Sequence, residues 1–227
     1  SDARPFACLS NSTTSPLRIT QRLARMGVDV DPTHIYTAAA ATADYVLQTF
    51  GQSRKPRIFN LSSEGIHEML DTLVDWVATP GEPCDAVIVG APVNPFATED
   101  RARLALALLR KGAALIGICA DRVYPSPRGI EFGCGAFTAM LAFASGRTPT
   151  FCGKPNAIFF NELCLRLKVA PESCLLIGDN IEADVIGAKA VGMKTALVLT
   201  GVTRRRDLLT IPKEHHPEFV VEELTDL

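Results

Sequence analysis

A chain of 227 residues is long for one simple domain and suits a core that carries an inserted module. Hydrophobic residues make up 47% of it, enough to bury a sizeable core, which excludes a disordered chain. The formal net charge of −2, with both signs scattered, excludes the broad basic face of a nucleic-acid binder but not a local basic pocket.

In chain order, PFACL (5–9) reads as a buried strand, followed by SNSTTSP, a run of hydroxyl and amide side chains. Ser15-Pro16 marks a helix start with proline at the first helical position; Leu17, Leu23 and Met26 fit its apolar face and Gly27 its stop. DPTHIYTAAAATADYVLQTF predicts a short strand and then a helix to about Phe50. GQSRKP (51–56) is a polar linker. RIFNLS then predicts a strand, EGIHEMLDTLVDWV a helix, and DAVIVG (85–90) a strand by its β-branched content. Thr98 caps the helix EDRARLALALLRKG, and ALIGICA (114–120) is a further strand. DRVYPSPRGIEFGCG (121–135) reads as a long loop leading to an apolar helix, AFTAMLAFASG, and SGRTP (145–149) as a second linker. Beyond it come a short strand at TFCG, a helix at NAIFFNELCLRL, a strand at CLLIG, a helix at 183–191, a strand at TALVLTG and a last strand at FVVEEL. Strands alternating with helices predict an α/β fold with a parallel sheet covered on both faces, and burial on both faces explains the continuous apolar runs.

Seven cysteines are present, an odd number with no CxxC pair, and most sit in apolar runs where a thiol behaves as a small hydrophobe. This usage predicts a reducing, cytoplasmic compartment. No signal peptide opens the sequence, and ALIGICA and AFTAMLAFA are too short to span a bilayer, so no membrane partner is expected.

In open α/β sheets ligands bind outside the carboxyl ends of the strands. Three predicted strands end on polar residues: Ser10 after PFACL, Lys154 after TFCG and Asp179 after CLLIG, with Asp184 five residues further on. A hydroxyl, an ammonium and a carboxylate on one edge suit a phosphate and a hard cation, because carboxylate oxygen binds magnesium and lysine neutralises phosphate oxygens. Singly, each has a plainer reading: Asp184 as a helix cap, Ser10 as loop chemistry, Lys154 before proline as a surface cation. Asp179 is the hardest to dismiss, since an acid abutting a buried strand needs a partner.

LSNST, GKPN and GDNIEAD, in that order, resemble motifs two, three and four of the haloacid-dehalogenase (HAD) superfamily. DRVYPSPRG, GCGAF, SGRTP and LVLTGVT look like its class-IIA phosphatases, the NagD-type and p-nitrophenyl-phosphatase-like group. The resemblance implies a Rossmann-like parallel-sheet core, residues 1–52 and 148–227, with a smaller α/β cap inserted at 53–147. It implies that Ser10 and Asn11 bind the phosphoryl group and Lys154 steadies nucleophile and phosphate. It further implies that Asp179 ligates magnesium and Asp184 ligates or supports the metal shell. A cap loop would select the leaving group, for which Asp121, Arg122, Tyr124 and Arg128 are the candidates; an ordinary turn-rich loop is the plainer reading. Pyridoxal-phosphate phosphatases of the group carry a histidine-proline pair where Tyr124-Pro125 stands, which speaks against a vitamin-B6 substrate.

The reaction implied is magnesium-dependent hydrolysis of a small phosphorylated metabolite through an aspartyl phosphate, in a protein that pairs through its cap. The attacking aspartate belongs to a first motif, DxDG, expected before LSNST. Only SDARP and PFACL precede LSNST; Asp2 has nothing apolar before it, and Asp29 and Asp31 in VDVDP read as a loop. A further N-terminal strand and helix in the native protein is the expectation. A catalytically silent binding or regulatory protein on the same fold is the alternative, and a phosphotransferase or mutase a third. GCGAFT (133–138) lacks the third glycine of a dinucleotide fingerprint, and His34, His67, His215 and His216 lack metal-ligand spacing, the last two reading as surface. TRRRD (203–207) reads as a solvated basic face.

Overall fold

The computed structural model describes residues 5–91 and 98–226, so Asp2 lies outside the described residues. The chain packs as two compact units, Ser1–Gly153 and Lys154–Leu227.

The first unit opens with β1 (Cys8–Ser10), parallel to β2 (Ile35–Thr37) with Cys8 opposite Ile35. The expected burial of PFACL does not hold: Cys8 is exposed, and Phe6, 57% exposed, stacks on His34 with ring centroids 4.2 Å apart. β1 pairs with β2 alone among the described strands. Between them, α1 (Pro16–Ala24) starts at the proline and stops before Gly27, whose φ of +82° no L side chain adopts easily. Its expected apolar face is buried only in part: Leu17 and Met26 are exposed, Leu23 is half-buried and Thr20 is buried. VDVDP is a loop, as expected, and Asp31 caps the following turn by accepting from Thr33 N at 2.8 Å. α2 (Ala38–Phe50) is capped by buried Thr37, whose Oγ1 accepts from Ala40 N at 3.1 Å.

β3 (Arg57–Leu61) leads into α3 (Glu64–Leu70). The helix is shorter than EGIHEMLDTLVDWV predicts, because Asp75–Trp76 form β4 beside β3. The β-branched and aromatic residues of VDWV fit an extended edge strand better than a fourth helical turn. Polar contacts tie α1 to α3: Ser15 Oγ donates to Glu68 Oε2 at 2.8 Å, and Arg18 pairs with Glu64 at 2.7 Å and with Glu68 at 2.5 Å. Next come β5 (Ala86–Val89), α4 (Glu99–Arg110) with its Thr98 cap, and β6 (Ala114–Gly117).

Residues 121–135, expected as a loop, hold an antiparallel hairpin, β7 (Val123–Ser126) and β8 (Gly129–Phe132), pairing Tyr124 with Glu131. Two prolines hide it in the sequence, yet a two-stranded ribbon has free edges where a missing N–H costs nothing. Gly129, at φ +114°, closes the turn. α5 (Cys134–Ser145) follows, then β9 (Thr150–Phe151). The five longer-range strands form one parallel sheet, β4-β3-β5-β6-β9. One face packs Phe59, Leu61, Val87, Val89 and Leu115 against Leu108 and Leu109 of α4 and Leu141 of α5. Truncating one of these leucines to alanine costs about 2–5 kcal/mol. α5 is apolar nearly all round but buries only Cys134, Thr138 and Leu141, leaving Met140 and Phe143 exposed.

The second unit comprises α6 (Ala157–Leu167), β10 (Leu175–Gly178), α7 (Gly187–Lys189), β11 (Lys194–Val198) and β12 (Phe219–Val221). Its sheet is parallel with the order β10-β11-β12. Among the described strands β10 has one neighbour, β11, and CLLIG alternates instead of being buried throughout: Leu176 is inside, Leu175 and Ile177, on the other face, are each 46% exposed. The helix expected at 183–191 is divided: residues Ile181–Ile186 form a wide π-helical turn, with Val185 N reaching Asn180 O at 3.4 Å, before α7. Ile181, Val185, Leu197 and Leu199 form one buried cluster of this unit, with Leu208 and Ile211 packed on it, and Phe159 and Phe160 of α6 are fully buried as well. The arginines of TRRRD are exposed, Arg205 pairing with Glu222. His216 is half-buried, not a surface residue as expected, with Nε2 3.1 Å from the carbonyls of both Leu208 and Ile211. All seven cysteines are free thiols, and no described helix is long and apolar enough to cross a membrane.

Candidate active site

In the second unit the carboxyl end of β10 carries the two acids. Asn180 follows Asp179 in extended backbone, and its Oδ1 accepts from Glu182 N at 3.0 Å and Ala183 N at 2.9 Å, starting the π-helical turn. That turn folds Asp184 back over the strand end, where the residue is 6% exposed. A Cβ at Gly178 would lie 2.5 Å from Asp184 Oδ2, so only glycine lets the acid pack there. Asp184 Oδ1 accepts from Lys154 Nζ at 2.6 Å, and Oδ2 accepts from Asn180 N at 3.2 Å. Both groups of the Lys154–Asp184 pair are withdrawn from water, a state tolerable only with such close pairing.

Asp179 is held differently. Val202 N donates to its Oδ2 at 2.8 Å, and Thr203 N donates to its carbonyl at 2.9 Å. Buried Thr203 closes the loop, its Oγ1 accepting from Ile181 N at 2.9 Å. A Cβ at Gly201 would overlap the Asp179 carboxylate. The LTGVT segment after β11 therefore positions Asp179, a role the sequence reading did not assign to Gly201, Val202 or Thr203. The signal for it was a glycine and a hydroxyl directly after a strand.

Magnesium takes one or two carboxylates and keeps several waters. Asp179 fits this demand, because among the described residues its Oδ1 takes no hydrogen bond. Asp184, with Lys154 on one oxygen and Asn180 N–H on the other, suits a supporting place. No group of three or more His, Cys, Asp or Glu that could hold a metal converges among the described residues.

In the first unit Ser10 ends β1, and its Oγ accepts from Ser12 N at 3.3 Å. Ser12 Oγ in turn accepts from Thr14 N at 3.0 Å, so hydroxyls wind the SNSTT loop by local turns. Asn11 Nδ2 donates to Asp121 Oδ2 at 3.3 Å, which brings a loop candidate to the phosphate-site candidate. A Cβ at Gly153 would lie 2.7 Å from Asn11 Oδ1. Arg122, in the turn before β7, accepts at its carbonyl from Gly133 N at 2.8 Å. Tyr124 lies on β7, partly exposed, and Arg128 at the hairpin tip pairs with Glu131 at 3.1 Å.

Comparison with known proteins bears on these motifs. A family model described as HAD-hydrolase-like matches residues 151–227, the segment that holds Lys154, Asp179 and Asp184. An acid sugar phosphatase of Staphylococcus aureus is 31% identical over 199 residues, covering 88% of this chain and 74% of the relative. A protein of Bacillus subtilis named 5'-nucleotidase YutF is 27% identical over 217 residues, covering 96% of this chain and 81% of its own. The solved structure of NagD from Escherichia coli K-12 superposes with a TM-score of 0.84 at 25% identity, covering 98% of this chain and 84% of that one. The chain belongs to the HAD superfamily of hydrolases. Within it, the chain falls in the class-IIA group of NagD-like and p-nitrophenyl-phosphatase-like phosphatases.

Proposed function

We propose that the protein is a magnesium-dependent phosphatase that hydrolyses small phosphomonoesters through an aspartyl-phosphate intermediate. The observation that carries this reading is the strand end after β10, where Asp179 is presented by Val202 N–H while Asp184 engages Lys154. Magnesium on Asp179 would supply Lewis-acid stabilisation of charge on the transferring phosphoryl group. Lys154, oriented by Asp184, would place its ammonium against a phosphoryl oxygen and the attacking carboxylate. Ser10 Oγ and Asn11 would hold the remaining oxygens. The attacking aspartate of the family belongs to a DxDG motif, and no DxDG occurs in these 227 residues.

The acid sugar phosphatase of S. aureus supports a small phosphorylated metabolite as substrate. The cap, residues 53–147, would select it through Asp121, Arg122, Tyr124 and Arg128. The apolar surface of the hairpin and α5 supports pairing of two chains through the cap, and seven free thiols support a cytoplasmic location. The test is a phosphatase screen of the full-length protein with and without magnesium, beside Asp179→Asn. Magnesium-dependent release of phosphate that Asp179→Asn abolishes supports the reading; a normal rate in Asp179→Asn refutes it.

A further inference from the structure

Two thiols of the second unit stand against one another, one reachable from solvent and one hidden. Cys164 lies on α6 and is 5% exposed; Cys174, directly before β10, is half-buried. Their side chains are within hydrogen-bond reach of each other. Backbone contacts fix both positions. Lys168 turns the chain out of the helix at φ +56°, and Val169 N donates to the Cys164 carbonyl at 3.1 Å. Cys174 N donates to Pro171 O at 2.9 Å, and the Cys174 carbonyl accepts from Lys194 N at 3.1 Å. The Cys174 thiol donates to Ala170 O at 3.5 Å. The 165–173 connection therefore brings the two sulfurs together on a braced backbone.

The two thiols differ in reactivity. Burial, with Cys174 and Glu172 beside it, pushes the Cys164 thiol up to about 11, so it keeps its proton. The thiolate is the attacking form, and it must be accessible to meet an oxidant. Exchange therefore starts at Cys174, and Cys164 is the second thiol, which needs only to reach its neighbour. Cys119 and Cys134 also face each other, but at 2% and 3% exposure neither sulfur admits an oxidant.

We propose that Cys164 and Cys174 form a reversible disulfide by exchange with a small disulfide oxidant of the glutathione class. The Cys174 thiolate attacks one sulfur of oxidised glutathione, the S–S bond breaks, and one glutathione leaves and takes up the proton that Cys174 released. The Cys164 sulfur then attacks Cys174 and gives up its proton, and the second glutathione leaves with it. Two cysteine thiols are oxidised and one glutathione disulfide is reduced to two thiols. The bond ties α6 to the entry of β10, whose other end leads into Asp179. The inference does not rest on the phosphatase reading, because the bond is read by mass, without turnover or metal.

The full-length protein is equilibrated in graded mixtures of reduced and oxidised glutathione, free thiols are blocked by alkylation, and tryptic peptides are analysed by mass spectrometry. Arg166 and Lys168 lie between the two cysteines, so trypsin severs the connection and the disulfide shows as two linked peptides. Linked peptides are expected to grow with the share of oxidised glutathione and to be lost in Cys164→Ser and in Cys174→Ser. In Cys164→Ser, Cys174 is expected to retain glutathione, because no second thiol displaces it. No linked peptides in the unaltered protein at any ratio, linkage that persists in Cys174→Ser, or a Cys174 free of glutathione in Cys164→Ser overturns the proposal. Should either variant fail to fold, the unaltered protein still decides it, since fragmentation of the linked peptides tells Cys164 from Cys152.

Discussion

Lys154 Nζ lies 2.6 Å from Asp184 Oδ1, and the two side chains are 11% and 8% exposed. Removing one partner of such a pair strands the other charge away from water, at a cost of about 3–5 kcal/mol. Lys154→Met and Asp184→Asn are each expected to destabilise the protein by about that amount. The double substitution should cost clearly less than the sum, which urea denaturation of all four proteins would measure. Additive losses would mean that the two groups do not sense one another.

Gly201 leaves the space that the Asp179 carboxylate fills. Gly201→Ala should push that carboxylate off the Val202 N–H and misplace it by about 1 Å, enough to lower turnover about 100-fold. The magnesium concentration for half-maximal rate should rise with it. A rate assay across magnesium concentrations checks this, and an unchanged profile would show that the loop does not set the acid's place.

Glu218 gives the fold a pH dependence. Partial burial pushes its carboxyl up, but the Lys189 ammonium at 2.8 Å and Thr195 Oγ1 and N–H, both at 2.7 Å, outweigh this and bring it down to about 2 from 4.5. The folded-state value lies below the unfolded one. The contribution is therefore complete above about 4.5 and is lost as pH falls toward about 2. The side chain is 38% exposed, so screening limits the effect to about 1 kcal/mol. Glu218→Gln should be less stable by that amount at pH 7, and the gap should close at pH 2 in thermal melts at both conditions.

Tyr124 sits on β7 of the hairpin, opposite Glu131. Tyr124→Ala should reorder a panel of phosphomonoesters by kcat/KM while leaving magnesium affinity unchanged. An equal loss on every substrate would count against a selective hairpin.

Ile130, Phe132 and Phe143 are 72%, 70% and 94% exposed. If two chains pair through the cap, Phe132→Ser with Phe143→Ser should halve the mass seen in sedimentation. Stability of the single chain should barely move, since neither ring is buried. A mass unaltered by both substitutions would place any pairing elsewhere.

The alternation of strands and helices, and the residues that close the strands, were legible along the chain. DAVIVG and TALVLTG have enough β-branched residues to be strands anywhere, and Thr98 and Pro16 start their helices by local chemistry that needs no distant neighbour. VDWV and DRVYPSPRG depart from their local expectation because pairing decides them: a strand of two residues exists only beside β3, and the hairpin exists only as a pair. Leu175 and Ile177 are apolar yet half-exposed, because hydropathy does not say which face of a strand is covered.

The order of the motifs LSNST, GKPN and GDNIEAD, and with it the superfamily, followed from residue identity and spacing alone, since each motif is a short stretch whose chemistry is local. Two things came only from tertiary structure: the partner of Lys154, and the glycine and threonine that seat Asp179. Each joins positions that are distant in sequence, and such contacts arise when strands pair and loops close, not from the preferences of any single segment.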